Sequence, residues 1–111
     1  MKTIFALAAA ALATAPALAL PNDFSDRLKR LSPLQQRATL RRAVLDTGQY
    51  CKHIGTVGYQ QSYKNLEMWT VRCDHDVSYA VFIGLDASVQ VRPCKDLAGL
   101  KLPVCRLPGK K

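Results

Sequence analysis

The chain has 111 residues, 49% of them hydrophobic, with 16 Lys+Arg against 8 Asp+Glu and 4 cysteines. That length excludes two ordinary domains, which usually take about 100–150 residues each. The apolar content excludes a disordered chain, and no apolar run reaches the roughly 20 residues that a bilayer-spanning helix needs.

The first segment reads as an address. Met1-Lys2 supplies a positive charge, Ile4 to Leu12 is an apolar stretch rich in Ala and Leu, and Ala17-Leu18-Ala19 closes it. A basic start, a short apolar core and an A-x-A end are the parts of a secretory signal peptide. The competing Ala13-Thr14-Ala15 site would place Pro16, which lacks an N–H, beside the cut. The expectation is therefore a signal peptide over 1–19, cleavage after Ala19, and a single mature domain over 20–111 in the periplasm or secreted. The residue directly after the cut is Leu20 and not cysteine, so the usual lipoprotein anchor is not expected.

Two helices come next. Phe24, Leu28 and Leu31 fall at i, i+4 and i+7, and Asn22 or Asp23 suits the N-cap. Ser32-Pro33-Leu34-Gln35 starts a second helix: Ser caps, Pro fits the first helical position, and Gln35 can close a capping box. This helix should run from Pro33 to about Thr47, with Leu34, Ala38, Leu40, Val44 and Leu45 toward the core. It has two possible endings. Gly48 is a natural C′ residue; alternatively the helix continues through Gly48 and carries Cys51 on its last turn.

From Ile54 the periodicity becomes two. A weak strand is expected around Thr56–Ser62 and a clearer one over Leu66–Cys73, with Trp69, Val71 and Cys73 on one side and Met68, Thr70 and Arg72 on the other. Asp74-His75-Asp76 is a polar turn. Val77–Ile83 is apolar on both sides, which suits a central strand, and Ser88–Arg92 follows with Val89 and Val91 inward. The tail, with Gly99, Pro103, Pro108 and Gly109, reads as a loop with one helical turn near Asp96–Leu100. Short turns between the strands favour an antiparallel meander. The fold expected is α+β: an N-terminal helical pair on one face of a three- to four-stranded antiparallel sheet, held by two disulfides.

Cys51, Cys73, Cys94 and Cys105 all lie beyond the leader, and an even count in a small exported chain reads as a disulfide framework. Four cysteines allow three connectivities. Cys73 shares a strand face with Trp69 and Val71, so it should point toward the helices, where Cys51 is the nearest partner. The expected bridges are Cys51–Cys73 and Cys94–Cys105, each contributing roughly 3 kcal/mol in the chain-entropy model.

Three constellations bear on chemistry. Cys51-Lys52-His53 and Cys73-Asp74-His75 are two Cys-x-His pairs. As thiolates they would suggest zinc, but export favours disulfides, leaving a milder reading in which His53 and His75 hold copper or zinc. Glu67, Arg72 and His75 lie on or beside one strand, in the residue types of a small basic ribonuclease, yet Glu67 and Arg72 should face opposite sides. There is no G-x-S-x-G, no H-E-x-x-H and no Gly-rich phosphate loop, so no catalytic residue, resident metal or cofactor is assigned.

The third constellation is the basic excess. Arg27, Lys29, Arg30, Arg37, Arg41 and Arg42 crowd the helical half against Asp23, Asp26 and Asp46, and Lys110-Lys111 ends the chain. Such a face is attracted to polyanions. Tyr50, Tyr59 and Tyr63, with Lys52 and Lys64, make a further candidate contact patch. The function expected is a non-enzymatic exported binding module for an acidic protein or an anionic envelope surface, with Arg37, Arg41, Tyr50, Tyr59 and Tyr63 on its binding face. A small basic hydrolase and a histidine-mediated metal binder are the alternatives. Tyr79-Ala80-Val81-Phe82-Ile83, followed by Asp86 and Val89, resembles the hairpin of PepSY-type exported domains. The resemblance is confined to that hairpin, and the four cysteines and the Asp86-Ala87 turn depart from it, so no function is carried across.

Overall fold

The computed structural model describes residues 21–74 and 77–108. The expected leader, its cleavage site, His75 and the terminal Lys110-Lys111 lie outside them.

Helix α1 covers Asp23–Arg30 and α2 covers Pro33–Asp46. Each starts on a side-chain cap that satisfies orphan N–H groups. The Asn22 side chain accepts from the Ser25 N–H at 3.0 Å. Ser32 and Gln35 form the reciprocal capping box, each side chain accepting from the other's N–H at 3.2 Å. The end of α2 decides between the two expected endings. Gly48 adopts φ +84°, its N–H donates to the Leu45 carbonyl, and the Gln49 N–H donates to Val44. This paired pattern is a Schellman motif, so the helix stops and Cys51 sits in a loop.

Four strands follow, β1 Val57–Tyr63, β2 Leu66–Arg72, β3 Ser78–Ile83 and β4 Val89–Pro93, in the order β1-β2-β3-β4. All neighbours are antiparallel. This is the helical pair on an antiparallel sheet that the periodicities imply, with four strands. A 3₁₀ turn, Cys94–Asp96, opens the tail slightly earlier than the helical turn expected near Asp96–Leu100. It is continued by turn hydrogen bonds from Leu100 to Asp96 and from Lys101 to Ala98.

The sheet has two covered faces. On the helix face, Trp69, Val71, Cys73, Tyr79, Val81, Ile83 and Val91 pack with Leu28, Leu40 and Val44. The Trp69 indole N–H donates to the Ser25 hydroxyl at 2.9 Å, and the Asn22 amide donates to the Ile83 carbonyl at 3.0 Å, so α1 is tied to the sheet by polar contacts as well as burial. On the opposite face, Met68, Ala80 and Phe82 pack under Leu97, with Leu66, Leu102 and Cys105 around them. Both β2 and β3 are therefore two-sided central strands, and the tail is a strap across the back of the sheet.

Both disulfides form as expected. Cys51–Cys73 has a Cα–Cα distance of 5.4 Å and Cys94–Cys105 one of 5.7 Å. The first is buried under the helix face; the second closes the strap beside its own cluster. The core assignment for α2 needs one correction. Leu40 and Val44 are buried and Leu45 half-buried, but Leu34 is 68% exposed and Ala38 is exposed too. Leu40 and Val44 set the direction in which the helix buries itself. At about 100° per residue, Leu34 lies about 80° from Val44 and about 120° from Leu40, which leaves it on the flank.

Candidate functional site

The flank of α2 and the loop between α2 and β1 enclose a groove. Its cavity of about 370 Å³ is lined by Leu34, Arg37, Ala38, Arg41, Arg42 and Ile54. Among the described residues no acidic side chain lines it. Arg37 and Arg41 are four residues apart on α2, which places their Cβ atoms about 5–6 Å from each other. The structure thus brings the two predicted arginines together and sets them beside the apolar side chains that were expected inside the core.

The far wall is irregular chain, yet it is pinned along its length. The Tyr79 hydroxyl donates to the Tyr50 carbonyl at 2.7 Å, and Cys51 is bonded to Cys73. Asp74, the residue after Cys73, accepts from the N–H groups of Lys52 at 2.8 Å and His53 at 2.7 Å, and its carboxylate lies 3.1 Å from His53 Nδ1. The Gly55 N–H donates to the Arg72 carbonyl at 2.7 Å. Burial raises the Asp74 pKa, but the donors from Lys52 and His53 outweigh it and hold the carboxyl below its ordinary value. A wall fixed this way presents Ile54 without a large ordering cost on binding.

The arginines differ in their attachments. Arg41 Nε donates to the Cys51 carbonyl at 2.9 Å, which ties the guanidinium to the disulfide loop. Arg37 has no hydrogen-bond or ion-pair partner among the described residues. Arg42 pairs with Asp46 at 3.5 Å on the exposed side of the helix. Lys29 lies 3.7 Å from Glu67 and 3.9 Å from Asp26, with its ammonium 3.9 Å from the Tyr59 ring centroid. Arg27 and Arg30 follow Asp23 and Asp26 by four positions each on α1. In the groove on α2, Arg37 and Arg41 stand without an ion pair among the described residues.

The tyrosines are not brought together. Tyr59 pairs with Trp69 and Tyr63 with Leu66, and a register shift lies between Tyr59 and Gln61. This β-bulge inserts one residue and reverses the alternation beyond it. Tyr59 therefore lies on the helix face, edge-on to Trp69 with ring centroids 5.7 Å apart, while Tyr63 shares the strap face with Leu66. Tyr50 is exposed in the α2–β1 loop.

Glu67 and Arg72 also lie on opposite faces. Glu67 accepts from the Ser62 hydroxyl beside Lys29, on the helix face. Arg72 Nε donates to the Pro108 carbonyl at 3.2 Å, on the strap face. His53 stands beside Asp74, and among the described residues no group of three or more His, Cys, Asp or Glu side chains is arranged to hold a metal. Reading the sequence missed Ile54 and the Asp74 clamp. The signal available was the α2 row Leu34, Ala38, Arg41 and Leu45, whose mixed character marks a boundary between core and solvent.

No family model matches the chain, the hairpin resemblance to PepSY-type domains included, and neither the curated proteins nor the solved structures provide a significant match. Fold and site define the class alone: a small, disulfide-stabilised α+β domain. Among the described residues no helix is long and apolar enough to cross a membrane.

Proposed function

We propose that this chain is an exported, non-enzymatic binding module that uses the groove on α2 to hold an anionic partner, either an acidic protein or an anionic envelope surface. The observation that carries the reading is the pair Arg37 and Arg41. One guanidinium is anchored by its Nε, the other has no hydrogen-bond or ion-pair partner among the described residues, and among those residues no carboxylate lines the groove between them and Ile54. Guanidinium groups bind carboxylate and phosphate through paired N–H donors, and an anchored one loses less freedom on binding. Export is consistent with the apolar leader and with two disulfides, which persist in oxidising compartments.

The test is capture of envelope components on immobilised mature protein at 0.1 M and 1 M salt, where the Debye length falls from about 10 Å to about 3 Å. Wild-type protein should retain its partner at low salt and release it at high salt. Arg37→Glu, and the double change Arg37→Glu with Arg41→Glu, should release it at both, with circular dichroism confirming the fold. Retention that ignores both salt and charge reversal would sink the proposal.

A further inference from the structure

We propose that the groove takes an extended peptide in which acidic and aliphatic residues alternate. This deepens the binding-module reading and rests on it. The flank of α2 presents two neighbouring rows, Arg37 with Arg41 and Leu34 with Ala38, each with its members four residues apart. Four residues of helix rise about 6 Å. In an extended chain, alternate side chains point to the same side and repeat every 6.5–7 Å or so, since each residue advances about 3.3 Å. The two repeats match closely enough for a short segment. An extended peptide lying along the groove sends its acids to the arginine row and its aliphatic side chains to Leu34 and Ala38, with Ile54 closing the far side.

Charge distribution favours this occupant over a bilayer. A membrane reads the summed charge of a broad surface, at about 1 kcal/mol per basic residue near anionic lipid. Here the neighbouring cations are already balanced: Lys29 by Asp26 and Glu67, and Arg42 by Asp46. Arg37 and Arg41 stand together inside a concave site with a preformed wall, whereas other cations without an ion pair among the described residues, such as Lys64, Lys95 and Lys101, are scattered over the β1–β2 turn and the strap. That arrangement selects a discrete ligand with two acids. Leu34 and Ala38 on α2, with Ile54 across the groove, supply the apolar half of the recognition.

The probe is a fluorescein-labelled peptide of sequence Leu-Glu-Leu-Glu-Leu, read by fluorescence anisotropy against the mature, disulfide-bonded protein. Ser-Glu-Ser-Glu-Ser, Leu-Lys-Leu-Lys-Leu and vesicles of one-third phosphatidylglycerol serve as comparisons. The alternating acidic-aliphatic peptide should bind best. Arg37→Gln, which removes a charge that has no hydrogen-bond or ion-pair partner among the described residues, should weaken it about tenfold, equivalent to about 1.4 kcal/mol. Leu34→Ser should weaken the leucine peptide and leave the serine peptide unchanged. Equal binding of the leucine and serine peptides, or preference for the vesicles, overturns the inference while leaving an anion-binding module standing. If neither peptide nor vesicle binds, and Arg37→Gln changes nothing, the inference and the reading beneath it fall together.

Discussion

The two faces of the sheet are covered by different means. On one face, two capped helices bury Leu28, Leu40 and Val44 against Trp69, Val71 and Val81. A helix satisfies its own backbone and needs little more than an apolar stripe to dock. On the other face, residues 97–108 form a strap without regular structure beyond a few turns, over Met68, Ala80 and Phe82. Irregular chain must find partners for its backbone groups elsewhere. Gln60 supplies two, donating to the Val104 carbonyl at 3.0 Å and accepting from the Arg106 N–H at 2.7 Å, and Arg72 supplies a third at Pro108. Cys94–Cys105 closes the loop covalently. The bulge in β1 serves this side as well, since it falls at Gln60, the residue that grips the strap. A helix layer holds by burial, whereas a strap needs side-chain hydrogen bonds and a cross-link.

The largest expected effect lies on the helix face. Trp69→Ala removes a fully buried ring, its hydrogen bond to Ser25 and its edge contact with Tyr59. It should cost about 3–5 kcal/mol, measured by urea denaturation. Met68→Ala on the strap face should cost less, near about 2 kcal/mol, because a flexible cover can settle into the space. Equal losses at the two positions would mean that the strap is as rigid as the helices.

The disulfides sharpen the same comparison. Replacing Cys51 and Cys73 by Ala should lower global stability by about 3 kcal/mol and also loosen the groove wall, seen as faster amide exchange at residues 51–55. Replacing Cys94 and Cys105 should cost about as much in the chain-entropy model, but the exchange should quicken in residues 97–108 while the helix face stays protected. Uniform loss of protection from the second change would show that the strap and helix layers unfold as one unit.

Lys64 belongs to neither layer. It sits in the two-residue turn between β1 and β2 with φ +56°, a conformation that costs a side chain-bearing residue about 1 kcal/mol. Lys64→Gly should raise the unfolding free energy by at most about 1 kcal/mol, since glycine's extra chain entropy offsets part of the gain, without altering exchange on either face.

The smallest effect is confined to acid. Asp74 has its pKa lowered in the folded state, so its contribution is present above the ordinary carboxylate value of about 3.9 and is lost as pH falls through the lower folded value. Asp74→Asn should flatten the acid limb of the stability profile below about pH 4 and leave the strap face unaffected. A profile identical to wild type would show that Cys51–Cys73 and the remaining hydrogen bonds hold the loop without the carboxylate.

Much of this architecture is local chemistry and was legible residue by residue. Asn22, Ser32 and Gln35 mark helix starts because their side chains reach N–H groups two or three positions away. Gly48 offered one of two endings for α2, and the structure takes it because glycine tolerates φ +84° without strain. Strand alternation placed Cys73 beside Trp69 and so paired it with Cys51. These features depend on spacing along the chain, and spacing is what a sequence contains. The rest depended on contacts between distant segments. Which flank of α2 stays in water follows from how Leu40 and Val44 seat on the sheet, and Leu34 and Ala38 became groove rather than core as a result. The bulge that sends Tyr59 and Tyr63 to opposite faces is set by pairing with β2 and by the strap's hold on Gln60. The groove itself exists because a disulfide and the Asp74 carboxylate bring the loop after α2 to the end of β2, a juxtaposition across some twenty residues that local propensity does not encode.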